Sequence, residues 1–137
     1  MGRILGIDYG SRRIGLALSD PLHVIASPYK TLIIRDEKQV LRELKIAVDD
    51  NDVEMLVVGL PLGMKGQETE QTRRVRRFAS LLKDTGYEVI LEDERLTSVS
   101  AKRSLVVQEI RTGHNKGLVD QTAAAILLQQ YLDKHSG

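Results

Sequence analysis

Cysteine is absent from this 137-residue sequence. Its absence excludes a disulfide framework, a thiolate zinc site and a cysteine nucleophile. Histidine is scarce: His23, His114 and His135 are scattered along the chain, which argues against a structural zinc site. No serine–histidine pairing is evident either, because His23 has no partner motif and His114 sits in a polar stretch. Aromatic residues make up 4% of the chain, too few for a stacking platform to dominate binding of single-stranded nucleic acid. Long hydrophobic runs are missing. The longest, over residues 55–64, is shorter than a membrane span and is broken by Pro61. The first eight residues lack the apolar core of a signal peptide. The expected compartment is the cytoplasm, with no membrane partner. Nor is there an excess of one charge. Twenty Lys and Arg face nineteen Asp and Glu, a net charge of +1, which excludes the uniformly basic coat of a nucleic-acid packaging protein. Any electrostatic argument has to be made cluster by cluster.

What remains is an ordinary globular composition, 42% apolar and 28% charged, and a length that suits one domain over residues 1–137. Residues 3–8 form an apolar run ending on Asp8. A turn at 10–13 and a second run over 14–19 complete a hairpin. A third short strand is predicted over 31–34, reaching back to Tyr29. The period then lengthens. Asp36 and Gln39 have capping-box spacing before a helix over 37–50, with Val40, Leu41, Leu44, Ala47 and Val48 at helical spacing. Residues 53–59 read as a strand buried on both faces, followed by a glycine-bearing loop over 60–67. The pattern continues with a helix over 68–85, a strand over 88–92 and a helix over 97–107. A polar loop over 108–117 and a final helix over 118–134 end the chain. The order β-β-β-α-β-α-β-α-α predicts an α/β fold, a five-stranded mixed sheet with helices on both faces.

Three acidic positions stand out. Asp8 ends a strand apolar enough to be central, with Gly6 and Gly10 removing bulk beside it, although Asp before Gly is also an ordinary turn residue. Glu92, Asp93 and Glu94 repel one another unless something positive is near. Arg95 would serve, and so would a divalent cation. Alternation along a strand sends Asp93 to one face and its two neighbours to the other, which leaves both faces open as the functional one. Asp120 shares a helical stripe with Ala123, Ala124, Leu127 and Tyr131. Helix-dipole stabilisation suits a carboxylate near a helix start on any face, but this one lies on the core-facing face, where a carboxylate is costly without a partner. Carboxylates converging at strand ends and a helix start make an oxygen-rich site suited to Mg²⁺ or Mn²⁺. In phosphodiester hydrolysis two such ions ~3.5–4 Å apart activate water and stabilise the leaving oxygen.

Taken together, the motifs resemble the YqgF family, also called RuvX or the pre-16S rRNA nuclease family. They are Gly6-Ile-Asp8-Tyr-Gly10, Arg13-Ile-Gly15-Leu-Ala17 with Ser19-Asp20, and Val58-Gly59-Leu-Pro61-Leu with Gly66. Asp93-Glu94-Arg95-Leu96-Thr97-Ser98, then Lys116-Gly117, Asp120 and Ala123-Ala124, complete the set. The resemblance covers essentially the whole chain. It implies an RNase H-like fold related to the RuvC Holliday junction resolvase, and an acidic triad of Asp8, Glu94 and Asp120 as catalytic and metal-binding residues. Asp93 is the alternative ligand within its pair. It also implies a role in maturing the 5′ end of 16S rRNA, and the carboxylate chemistry calls for Mg²⁺ or Mn²⁺, two ions in the expected form. The partner would be structured nucleic acid, a pre-rRNA or pre-ribosomal particle, with branched DNA as the alternative. Precursor trimming is compatible with a monomer, and junction cleavage calls for a homodimer.

Basic residues complete the reading. Arg73, Arg74, Arg76 and Arg77 crowd one helix start with no acid between them, so pairing within the cluster does not neutralise them. With Arg12, Arg13, Arg95, Arg111 and Lys116 they are candidates for phosphate contact. A charge run on a helix is also an ordinary solvated face. Two further readings compete with a nuclease. Asp8-x-Gly10 with Gly15 also resembles the phosphate-binding hairpin of the actin–hexokinase ATPases, but those close two such domains over a nucleotide. A non-catalytic nucleic-acid-binding or ribosome-assembly module is the other, disfavoured by the intact carboxylate pattern.

Overall fold

A computed structural model describes residues 2–94 and 116–135, with side chains in the second segment from residue 118. The expected helix over 97–107, most of the loop over 108–117, and the candidate residues Arg95 and Arg111 lie outside the described residues. So does the side chain of Lys116.

The sheet has five strands in the order β3-β2-β1-β4-β5. They are β1 (Arg3–Tyr9), β2 (Arg13–Ser19), β3 (Ala26–Ile33), β4 (Val53–Leu60) and β5 (Val89–Asp93). The hairpins β1–β2 and β2–β3 are antiparallel. The pairs β1–β4 and β4–β5 are parallel, as the switch from hairpins to strand–helix alternation predicts. Strand β1 is therefore central, and its near-continuous burial follows from having a partner on each edge and a helix layer on each face.

Strand alternation divides the core in two. On one face Leu5, Ile7, Ile14, Leu16, Leu56 and Val58 pack against helices α1 (Glu37–Asp50) and α2 (Glu70–Asp84). On the other face Ile4, Ala17 and Val57 meet Ala124, Leu128 and Leu132 of helix α3 (Lys116–His135). Small residues let α3 lie close to the sheet. A Cβ on Gly15 would stand 2.0 Å from the backbone oxygen of Asp120. No described helix is long and apolar enough to cross a membrane.

Most boundaries match the sequence reading, and the departures have physical reasons. Strand β3 begins at Ala26, well before the expected start, and runs through Pro28. It is an edge strand, and its pairing with β2 skips a residue here: Ala17 faces Pro28 while Leu16 faces Lys30. Proline is tolerated at such a bulge on an edge. Helix α1 has the expected capping box, with the Asp36 carboxylate accepting from the Gln39 backbone N–H at 2.8 Å. Helix α2 starts later than expected because Thr69 caps it, its hydroxyl accepting from the Thr72 N–H at 3.2 Å.

Candidate active site

The central strands deliver the site at their C-terminal ends, where open α/β sheets place ligands. Asp8 lies one residue from the end of β1, only 7% exposed, and pairs across the hairpin with Gly15. Glu94 directly follows β5. Asp120 enters from the first turns of α3. These three carboxylates, from three separate elements, line one cleft of about 250 Å³. Tyr9, Arg12, Arg13, Gly59, Pro61 and Gln71 complete most of its wall.

Each wall residue is held by local chemistry. Tyr9 stacks on Phe78, ring centroids 4.2 Å apart. The Gln71 side-chain amide donates to the Tyr9 carbonyl at 2.9 Å, and the Thr72 hydroxyl donates to the carbonyl of Pro61. The start of α2 is thereby tied both to the end of β1 and to the loop after β4. Sequence reasoning did not single out Gln71. Its position in the first turn of an amphipathic helix carries no signal of a tertiary contact.

Glu92, Asp93 and Glu94 have different surroundings. Glu92 is buried at 5% exposure under α3. There Lys134 Nζ lies 2.9 Å from its carboxylate and the Gln130 amide donates to it at 3.3 Å. That lysine is a positive partner which sequence reasoning missed. Glu94 lines the cleft, and Asp93 is not among the lining residues. Burial, and then the neighbouring charge of Asp93, push the Glu94 carboxyl above the usual range. Room for Glu94 comes from a missing side chain: a Cβ on Gly59 would lie 2.4 Å from Glu94 Oε1 and 2.8 Å from Leu127 Cδ2. Both are ends of flexible side chains. Gly59→Ala is accordingly expected to fold, costing about 1–2 kcal/mol of stability, while turning Glu94 out of the cleft. Paired thermal melts and cleavage rates check this. A rate that falls no more than stability does would contradict the assignment.

Asp120 is not alone. Arg13 Nε donates to its Oδ2 at 2.7 Å, the carboxylate side chain 16% exposed and the arginine 39%. Arg13, a candidate phosphate contact, thus spends its guanidinium on a candidate catalytic carboxylate.

Two of the four arginines on α2 find acidic partners, N-terminal to the run rather than within it. Arg74 pairs with Glu70 at 2.9 Å. Arg76 is held by both oxygens of Glu68, at 2.7 and 2.8 Å. Glu68 lies before the helix cap, so the chain folds it back across a separation that helical i,i+4 reasoning does not reach. Arg77 lines a wider groove of about 760 Å³ between α1 and α2, which shares Tyr9 with the carboxylate cleft.

Carboxylate oxygens without thiolate or imidazole suit Mg²⁺ or Mn²⁺ in kind. In arrangement they are not gathered as a ligand set: among the described residues no three Asp, Glu or His side chains stand close enough to hold a metal ion, and Asp120 is turned onto Arg13.

Sheet order, flanking helices and an acidic cleft at the strand ends define an RNase H-like fold of the RuvC type. Thermus thermophilus RuvC, solved in complex with a Holliday junction substrate, superposes with a TM-score of 0.62 at 14% identity, covering 100% of this chain and 97% of that one. The fowlpox virus resolvase, solved with Holliday junction DNA, gives 0.58 at 11% identity, covering 96% and 97%. The chain belongs to the RuvX family, whose model, described as Holliday junction resolvase, matches residues 2–134. Relatives named "Putative pre-16S rRNA nuclease" include one from Endomicrobium trichonymphae, 43% identical over 99% of both chains. Another, from Dictyoglomus thermophilum, is 39% identical over 98% of this chain and 97% of its own. The family is thus one of nucleases, hydrolases of phosphodiester bonds.

Proposed function

We propose that this protein is a divalent-metal-dependent endonuclease acting in the cytoplasm on structured nucleic acid, its substrate the 5′ end of precursor 16S rRNA. The observation that carries this reading is the delivery of Asp8, Glu94 and Asp120 from three elements to one cleft. The names of the full-length relatives support the substrate.

Asp8, Glu94 and Asp120 would hold the Mg²⁺ or Mn²⁺, two ions in the proposed form, with Asp93 acting through its charge on Glu94. When bound, such ions supply charge neutralisation at the scissile phosphate and an activated water. The chain's own residues do the rest. Gly59 clears space for the Glu94 carboxylate, the Gln71 and Thr72 contacts fix the rim, and Arg12 and Arg77 offer cationic groups to flanking phosphates. Arg77→Ala is expected to weaken binding of duplex RNA and to lower the slope of log K against log salt by about 1. Arg76→Ala, whose guanidinium already sits on Glu68, changes that slope less. Fluorescence anisotropy at several salt concentrations reads both.

A second reading, resolution of four-way DNA junctions, is favoured by the solved neighbours, two of which hold Holliday junction DNA. It would require a homodimer with two clefts, whereas precursor trimming works with a monomer. Purified protein given equal amounts of 16S precursor RNA and a four-way DNA junction, with Mn²⁺ and with EDTA, tests the proposal. Metal-dependent cleavage of the RNA at a defined 5′ position is expected. Cleavage confined to the junction would replace the first reading with the second, and cleavage of neither would leave a binding module.

A further inference from the structure

One carboxylate of the cleft is already engaged by a residue of its wall. We propose that Arg13 is a latch on Asp120: its guanidinium occupies that carboxylate in a cation's stead, so that Asp120 can serve as a metal ligand only when the ion pair opens. The inference rests on the metal-dependent reading above.

Three observations carry it. The contact is short and charge-assisted, 2.7 Å from Nε to Oδ2. Its two partners come from β2 and α3, 107 residues apart in sequence, and both line the carboxylate cleft. The backbone beneath Arg13 is fixed: its carbonyl accepts the Gly10 N–H at 2.9 Å, closing the β1–β2 turn, and Arg13 faces Ile33 across the β2–β3 pair. Opening the latch is therefore a side-chain motion rather than a strand shift. A cation approaching the Asp120 carboxylate meets the like charge of the guanidinium, and binding one opposes binding the other. Once released, the guanidinium still faces the cleft, and its planar fork matches a phosphodiester oxygen pair.

Arg12 provides an internal control. It lines the same cleft and is exposed, and it makes no ion pair with a described residue. The experiment measures Mn²⁺ affinity of the intact protein without nucleic acid, by electron paramagnetic resonance of the free ion. Arg13→Gln is expected to tighten Mn²⁺ binding roughly ten-fold, and Arg12→Gln by less than about two-fold, since exposed charges are screened. Arg13→Met repeats the test without an amide that could itself bind Asp120. In an Asp120→Asn background the gain from Arg13→Gln should vanish, because the two residues act as one unit. Thermal melts identify any variant that fails to fold.

Equal effects of the Arg12 and Arg13 changes would overturn the latch in favour of general electrostatics. Weaker Mn²⁺ binding in Arg13→Gln would overturn it in the opposite sense, making Arg13 a residue that orients Asp120 for the ion. No Mn²⁺ binding by the unmodified protein would instead remove the metal-dependent reading itself, so the two failures are distinct.

Discussion

Asp8→Asn is expected to lower cleavage at least about 100-fold, equivalent to about 2.7 kcal/mol of transition-state stabilisation, without loss of the fold. The substitution keeps the side chain's shape in a position only 7% exposed, removes the charge and turns one accepting oxygen into a donating amide. Charge is what the cleft requires if carboxylates hold a cation against a polyanionic substrate. A neutral amide at the end of β1 leaves the backbone pairing with β2 untouched, so the variant should still fold, as a cooperative thermal melt checks. EDTA added to the unmodified protein should reproduce the loss. Cleavage retained to half or more in Asp8→Asn would remove this cleft as the site of chemistry.

Gly15→Ala is expected to have the largest effect on stability. Its Cβ would lie 2.0 Å from the backbone oxygen of Asp120, 2.2 Å from the carbonyl carbon and 2.8 Å from the Gln121 nitrogen. All three are backbone atoms, so no rotamer change relieves the clash, and α3 must lift from β2. That helix supplies Ala124, Leu128 and Leu132 to the core on its face of the sheet, and lifting it loosens the whole layer. A loss of about 3 kcal/mol follows from overpacking of this kind, read as a fall in melting temperature of roughly 10 °C. The same displacement carries Asp120 away from Arg13 and from the cleft. An unchanged melting temperature would show that α3 does not rest on Gly15 in solution. The contrast with Gly59 is informative, because there the added methyl meets side-chain ends and moves a carboxylate rather than a helix.

Much of this architecture is legible in the sequence because local chemistry and global fold agree. The capping box at Asp36 and Gln39, the apolar run of β4 and the turn between β1 and β2 each specify their own element. Asp120 was legible for the opposite reason: a carboxylate at the centre of an apolar helical stripe conflicts with its surroundings. Other features depend on contacts between distant segments and leave no local trace. Strand β3 extends through Pro28 only because an edge bulge accommodates it. Glu92 is satisfied by Lys134, near the far end of α3. Glu94 fits the cleft because Gly59, on the neighbouring strand, has no side chain. Arg76 finds Glu68 across a helix cap, and Arg13 finds Asp120 across the sheet–helix interface. In the site, the residue types were readable; the pairing among them was not.

The most direct test is to grow crystals of the protein in Mn²⁺ and locate the metal by its anomalous scattering. Mn²⁺ is expected between the carboxylates of Asp8, Glu94 and Asp120, with the Arg13 guanidinium displaced from Asp120. Saturating Mn²⁺ that leaves this cleft empty, with the Arg13–Asp120 pair intact, would contradict that expectation.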